Sequence, residues 1–291
     1  MGLNRLNEYI YPIANIMNLK QFLLLTLALF CFVAGSKAAR VDTLNIPSRS
    51  MAKEIKTVVI LPKGYSVNTK YPVLYLLHGY SGNYSNWVKN TTVASLADQY
   101  GYMVVCPDGG FGSWYWDIAN DRNYQYETFV AKELVDYIDQ HYVTVKDRKG
   151  RAITGLSMGG HGALSLAIKH QDLYGAAGST AGGVDFRPFP LNWEIKDRIG
   201  NYADAPQIWD DRVVINMIPK LLNNKLRLMI DCGKEDFFYP VNVALHDKLM
   251  YHNINHTFVT SEGGHNWTYW SRSIIYQMAF FNEFFNQPEK K

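Results

Sequence analysis

Short apolar runs rich in Val, Ile and Tyr recur at 54–62, 72–78, 102–106, 151–156, 174–179, 226–232 and 256–261, with helical patterns between most of them. A run that is apolar throughout has no face to leave in water, so it reads as a strand covered on both sides. Helices between consecutive strands supply the crossovers that parallel pairing requires. The alternation therefore predicts an α/β fold, with a mostly parallel central sheet and helices on both faces.

The clearest helix is 126–142, with Val130, Leu134, Tyr137, Ile138 and His141 on one stripe and Lys132, Glu133, Asp136 and Asp139 off it. Shorter helical patterns stand at 160–170 and 241–251, and an aromatic-rich terminal helix at 268–285. No repeat or low-complexity linker interrupts them, so residues 39–291 read as a single domain. The irregular segment 185–207 holds Pro188, Pro190, Trp193 and Gly200 and suits a minimal cap or a substrate-facing insertion.

With 47% hydrophobic and 19% charged residues the chain can bury a substantial core, which excludes a disordered protein. The formal charge of +3 is concentrated in residues 1–38, where Arg5, Lys20 and Lys37 oppose Glu8 for a net +2. The near-neutral remainder has no basic cluster and gives no support for nucleic-acid binding.

Residues 1–38 read as an N-terminal extension and signal peptide. The apolar run 22–34 is too short to span a bilayer comfortably, Lys20 precedes it, and Ser36-Lys37-Ala38 presents small residues where a signal peptidase reads them. Cleavage after Ala38 would leave an exported, periplasmic or secreted protein of bacterial type with no stable membrane anchor. An uncleaved N-terminal anchor is the alternative, and Met17 opens a better signal peptide than Met1. Cys106 and Cys232 then remain as the only thiols, both at the ends of strands, and read as inert core cysteines rather than a disulfide framework.

Gly155-Leu156-Ser157-Met158-Gly159 is a G-x-S-x-G pentapeptide between a strand-like and a helix-like run. In that setting it reads as a nucleophile elbow, a sharp turn that lifts the serine hydroxyl above the sheet with a helix N-terminus beneath it. The hydroxyl is a weak nucleophile without a base to take its proton, so an acid and then a histidine are expected further along. After the strand at 225–231, Asp231, Glu235 and Asp236 are available. Asp236 lies within the loop and is favoured; Asp231 belongs to the strand end and is the alternative, and Glu235 is expected to face solvent. His265, in Gly263-Gly264-His265-Asn266, stands in a flexible turn before the terminal helix and is the expected base. His246, His252 and His256 sit in or beside regular elements, and His161 suits pocket lining or packing. No histidine pair has zinc-ligand spacing with an acidic partner, so a metal is not expected. The oxyanion that forms on serine attack needs backbone donors. Met158 N-H and, after the strand ending near Leu77, Tyr80 N-H are the expected pair, with His78 bracing that loop.

Leu77-His78-Gly79-Tyr80-Ser81-Gly82-Asn83, Pro107-Asp108-Gly109, Ser113-Trp114-Tyr115, the segment 151–164 and the Gly264-His265 turn together resemble the esterase D and tributyrin-esterase-like family. That family is similar to feruloyl and acetyl-xylan esterases and to S-formylglutathione hydrolases. The resemblance runs from about residue 55 to 285. It implies an α/β-hydrolase fold, no cofactor, hydrolysis through an acyl-enzyme, and Ser157, Asp236 and His265 as the triad. Formylglutathione hydrolysis fits an exported chain less well.

The aromatic segments 113–117 and 267–270 could stack on a sugar or an aromatic acyl group, with Trp114, Tyr115 and Trp267 as the candidate substrate contacts. The leading expectation is an exported serine carboxylesterase acting on short acyl, acetyl or feruloyl esters, free or attached to plant polysaccharide. The alternatives are an acyltransferase of the mycolyl-transferase type, with a sugar hydroxyl as acceptor, and a non-catalytic carbohydrate-binding relative. Sequons occur at Asn83, Asn90, Asn255 and Asn266; a glycan on Asn83 would crowd the oxyanion loop and one on Asn266 His265, so they read as chance matches. Oligomeric state is not legible.

Overall fold

The computed structural model describes residues 38–222 and 225–287. The leader read at residues 1–38 lies outside the described residues, apart from Ala38. Among the described residues, which belong to one compact unit, no helix is long and apolar enough to cross a membrane.

Eight strands form one sheet: β1 (Arg40–Ser48), β2 (Lys53–Leu61), β3 (Val73–Leu77), β4 (Met103–Pro107), β5 (Arg151–Gly155), β6 (Ala176–Thr180), β7 (Arg227–Gly233) and β8 (His256–Ser261). Their order is β1-β2-β4-β3-β5-β6-β7-β8, with β1, β2 and β4 paired antiparallel and every later pairing parallel. Seven strands lie within two residues of the apolar runs in the sequence. β1 does not, because it is an edge strand whose side chains are largely exposed until Ile46, so it needs no continuous apolar run.

The pleat sends alternate side chains into two cores. Val73, Tyr75 and Leu77 of β3 enter one, while Leu74 and Leu76 enter the other. The first core is covered by α2 (Leu134–His141), α3 (Met158–Lys169) and α4 (Tyr239–Tyr251), which contribute Leu134, Ile138, Leu164, Leu166, Leu245 and Leu249. The second is covered by α1 (Val93–Tyr100) and α5 (Trp267–Phe285), through Val93, Leu96, Ile274, Met278 and Phe281. Helices therefore sit on both faces, as the apolar runs require.

The helix expected at 126–142 is not uniform. Tyr126–Thr128 leads through a π-helical turn at Phe129–Glu133 into α2. The wider turn buries both Phe129 and Val130, while Glu133 accepts hydrogen bonds from Ser48 Oγ at 2.7 Å and Ser50 N at 2.8 Å. The irregular segment after β6 contains short helices at Ile195–Ile199, Pro206–Arg212 and Val214–Met217. Arg187 fastens it through Asp185 and Asp210 at 2.7 and 2.6 Å. Cys106 and Cys232 are buried free thiols, and burial pushes both thiol pKa values up.

Candidate active site

The chain leaves β5 at Gly155 and enters α3 at Met158, so Ser157 must turn the backbone within one residue. It does so at φ 54° and ψ −120°, a conformation costly for a residue with a Cβ. Three hydrogen bonds hold it: Ser157 N donates to Thr180 O at 3.0 Å, and Ser157 O accepts from His161 N at 3.0 Å and Gly183 N at 3.2 Å. The flanking glycines have a steric cause. A Cβ on Gly155 would stand 2.6 Å from Gly159 C, and one on Gly159 would stand 2.5 Å from Leu77 O.

The loop after β7 brings in Asp236, which is 4% exposed. Its Oδ1 accepts from Phe238 N at 2.8 Å, a turn geometry suited to aspartate, and this leaves Oδ2 for another donor. His265 fills that role, its Nδ1 donating to Asp236 Oδ2 at 2.8 Å. With the ring proton on Nδ1, Nε2 is free to accept from Ser157 Oγ at 2.9 Å. Gly263, at φ 120°, lets the His265 turn fold back over the end of β7, and Asn266 then caps α5 by accepting from Tyr269 N at 3.1 Å. Rings enclose the imidazole: Phe237 at 4.4 Å, Trp270 at 5.0 Å and Phe238 at 5.5 Å between centroids.

The structure thus brings Ser157, His265 and Asp236 together. Asp231 points elsewhere and is hydrogen-bonded to Thr180, Tyr269, Ser273 and Gln277. Glu235 is exposed and accepts from Gly263 N. His246 and His256 pair with each other at 2.7 Å. His161 is fully buried and accepts from Trp116 Nε1 at 3.0 Å; desolvation lowers its pKa to about 3, so it stays neutral. Among the described residues no group of three or more His, Cys, Asp and Glu converges as metal ligands would.

The loop after β3 faces the elbow. His78 is buried; Gly109 N donates into its Nε2 at 2.7 Å, so Nδ1 carries the proton towards Gly79 O, also at 2.7 Å. This ring braces the loop, as its position in the sequence suggests. Neither the Tyr80 nor the Met158 amide has an acceptor among the described residues, while their neighbours Ser81 and Gly159 do. Both amides stand beside the elbow and are left available as donors.

A cleft of about 340 Å³ opens over Ser157 and His265, walled by Tyr80, Trp193, Trp267 and Trp270. Trp267 therefore stands where a substrate contact is expected. Trp114 and Tyr115 do not: both are 1% exposed beneath the site. Trp114 packs among Trp116, His161, Phe186 and Trp193, and Tyr115 donates its hydroxyl to His78 O at 3.0 Å. Tyr115 also fills space that Gly109 and Gly162 leave open, where a Cβ would lie 2.4 and 2.5 Å from its atoms. The aromatic segment 113–117 is thus core support. Trp193 and Trp270 take the wall positions instead. The composition of the cap and of the terminal helix marks both as aromatic, but only the folded loops decide which rings face the cleft.

Known proteins give the same frame. The chain is 26% identical over 253 residues to an acetyl esterase of Caldicellulosiruptor saccharolyticus, covering 79% of this chain and 94% of that protein. It is 29% identical over 272 residues to the diacylglycerol acyltransferase/mycolyltransferase Ag85B of Mycobacterium avium, covering 80% of each. A ferulic acid esterase structure superposes with a TM-score of 0.75 at 24% identity, covering 86% of this chain and 99% of that one. The MPT51 (FbpC1) structure of Mycobacterium tuberculosis superposes with a TM-score of 0.73 at 22% identity, over 86% and 100% of the two chains. An elbow serine on a mostly parallel sheet and a family match over residues 48–281 lead to one conclusion: the chain belongs to the esterase family described as "Putative esterase".

Proposed function

We propose that this protein is an exported serine carboxylesterase that works through an acyl-enzyme on Ser157. The observation that carries the reading is the chain of hydrogen bonds from Ser157 Oγ through His265 to Asp236, at 2.9 and 2.8 Å, at the floor of an open cleft. Ser157 Oγ attacks the ester carbonyl while His265 Nε2 takes its proton, and Asp236 steadies the imidazolium that results. The carbonyl oxygen, now carrying the negative charge, is held by the Tyr80 and Met158 amides. His265 then returns the proton to the departing alcohol, leaving the acyl group on Ser157. Water then attacks the acyl carbon as His265 takes its proton; the bond to Ser157 Oγ breaks, His265 gives the proton to that oxygen, and the acid leaves.

The substrate reading is an acetyl, other short-chain or feruloyl-type ester, free or linked to plant polysaccharide. The acetyl-esterase relative supports the short acyl group, and the walls formed by Trp193, Trp267 and Trp270 suit an aromatic or sugar ring. The second reading replaces water with a sugar hydroxyl, and the 29% identity to a mycobacterial acyltransferase favours it. Both readings share Ser157 and differ in the acceptor. Export rests on the apolar run 22–34 and Ser36-Lys37-Ala38. The test is a panel of acetyl, butyryl, longer-chain and feruloyl esters, free and on xylan oligosaccharides, with and without a sugar acceptor. Free acid as the main product supports the esterase, and acylated sugar as the main product overturns it. N-terminal sequencing of the exported protein checks cleavage after Ala38.

A further inference from the structure

Beneath the elbow lies a polar cluster that the chemistry above does not use. The Asp231 carboxylate, 2% exposed, accepts four hydrogen bonds: Tyr269 Oη at 3.1 Å and Ser273 Oγ at 2.7 Å on Oδ1, Thr180 Oγ1 at 3.0 Å and Gln277 Nε2 at 2.7 Å on Oδ2. Gln277 passes the link on, its Oε1 accepting from Thr154 Oγ1 at 2.9 Å. Gly178 makes room for this, since a Cβ there would stand 2.0 Å from Gln277 Oε1 and 2.6 Å from Thr154 Oγ1. Burying a carboxylate is costly unless its lone pairs are filled, and here four donors fill them.

The partners are distributed in a telling way. Thr154 is three residues before Ser157 on the strand that feeds the elbow. Thr180 holds Ser157 directly, its carbonyl accepting the Ser157 N-H at 3.0 Å. Tyr269 is on the first turn of α5, four residues after His265, and receives the Asn266 cap through its own N-H. Asp231 itself lies on β7, two residues before the end of the strand that delivers Asp236, and its carbonyl accepts from Ala181 N at 2.7 Å. One carboxylate thus ties together the three segments that carry the nucleophile, the base and the acid.

We propose that Asp231 is a positioning residue, which with Thr154, Thr180, Tyr269, Ser273 and Gln277 sets the register of α5 against the elbow and so the reach from His265 to Ser157. The inference rests on the reading of Ser157 as nucleophile and His265 as base. Its consequence is that the hydroxyls of Thr154 and Thr180, neither of which lines the cleft, control turnover. A general-base contact tolerates little displacement, and a misplacement of about 1 Å from a distant change can cost about 100-fold in rate.

The test compares Thr154→Val and Thr180→Val, which keep shape and lose the hydroxyl, with Thr154→Ser and Thr180→Ser, which keep the hydroxyl and lose a methyl. Each is assayed with 4-nitrophenyl acetate for kcat and KM, with an alkyl fluorophosphonate for the labelling rate of Ser157, and for its melting temperature. The expected result is a fall of about tenfold or more in kcat and in labelling rate for the Val variants, with KM within about twofold. The Ser variants are expected to keep kcat while melting earlier. Val variants that melt earlier yet keep wild-type kcat and labelling would overturn the inference and leave the triad reading intact. A Ser157→Ala variant that hydrolyses the ester at the wild-type rate would overturn both.

Discussion

Replacing Gly159 by alanine adds one methyl group at a place where propensity and packing disagree about the sign. Gly159 lies in the first turn of α3, where alanine is favoured over glycine by about 1 kcal/mol. Yet the added Cβ would stand 2.5 Å from Leu77 O and 2.6 Å from His78 O, both backbone atoms. To reach even 3.0 Å, the β3 loop or the helix must retreat by about 0.5 Å, and overpacking of this kind costs about 1–3 kcal/mol. The net expectation is a destabilisation of about 0–2 kcal/mol. The catalytic effect is larger, because the displaced backbone leads directly into Gly79 and Tyr80. Losing one oxyanion donor costs about 2.7–4 kcal/mol in the barrier, so a retreat of the Tyr80 amide is expected to lower kcat by about 10- to 1000-fold. Steady-state hydrolysis of 4-nitrophenyl acetate and urea unfolding measure the two effects separately. Gly64→Ala is the control: its φ is 73° with nothing within 4 Å of a Cβ, so it should lose about 1–2 kcal/mol of stability and no kcat. A Gly159→Ala enzyme with wild-type kcat would refute the packing of the elbow against the Tyr80 loop.

Asp236→Asn should leave the fold intact and lower kcat by up to about 10⁴-fold, since an amide can hold His265 in the wrong tautomer and cannot stabilise its charge; thermal melting and ester turnover check both halves. Trp267→Ala should raise KM severalfold with little loss of stability, whereas Trp114→Ala should cost about 3–5 kcal/mol of stability because its ring is buried beneath the cleft; urea curves beside KM values discriminate them. Burial would raise the Glu127 carboxyl, but hydrogen bonds from His170 and Lys169 outweigh it and hold the pKa at about 2 against an ordinary 4.5. Its contribution to stability is thus fully present above pH 4.5 and lost as pH falls through about 2. Glu127→Gln should cost at most about 3 kcal/mol at pH 7, reduced by the solvent that still reaches the site, and nothing near pH 2. Unfolding curves from pH 7 to pH 2 follow that convergence.

What the sequence reveals depends on whether a feature is local. The six inner strands, β2 to β7, announce themselves because their side chains are mostly buried on both faces, β8 at the opposite edge through its β-branched and aromatic residues, and the elbow through glycines at positions where backbone atoms leave no room for a Cβ. Asp236 and His265 are legible through chain order and loop chemistry, with Asp231 excluded only once its four donors are seen. β1 escapes because its first six residues, Arg40 to Asn45, are mostly polar and stay exposed or half-buried. Trp114 and Tyr115 mislead for a different reason: an aromatic run before a helix can face a ligand or the core, and Gly109 nearby and Gly162 far along the chain open the space that takes Tyr115 inward. Trp193 and Trp270 lie in the segments 185–207 and 267–270 whose composition suggests a substrate-facing role, but which of their rings line the cleft depends on how the folded segments set them.

The acyl carbon of the ester should become covalently attached to Ser157 Oγ. Rapid mixing with 4-nitrophenyl acetate, acid quenching and peptide mass spectrometry test it directly. The expected result is an initial burst of nitrophenol and one acetyl group on the peptide containing Ser157, with no adduct and no turnover in Ser157→Ala. Ester hydrolysis that proceeds undiminished in Ser157→Ala would contradict it.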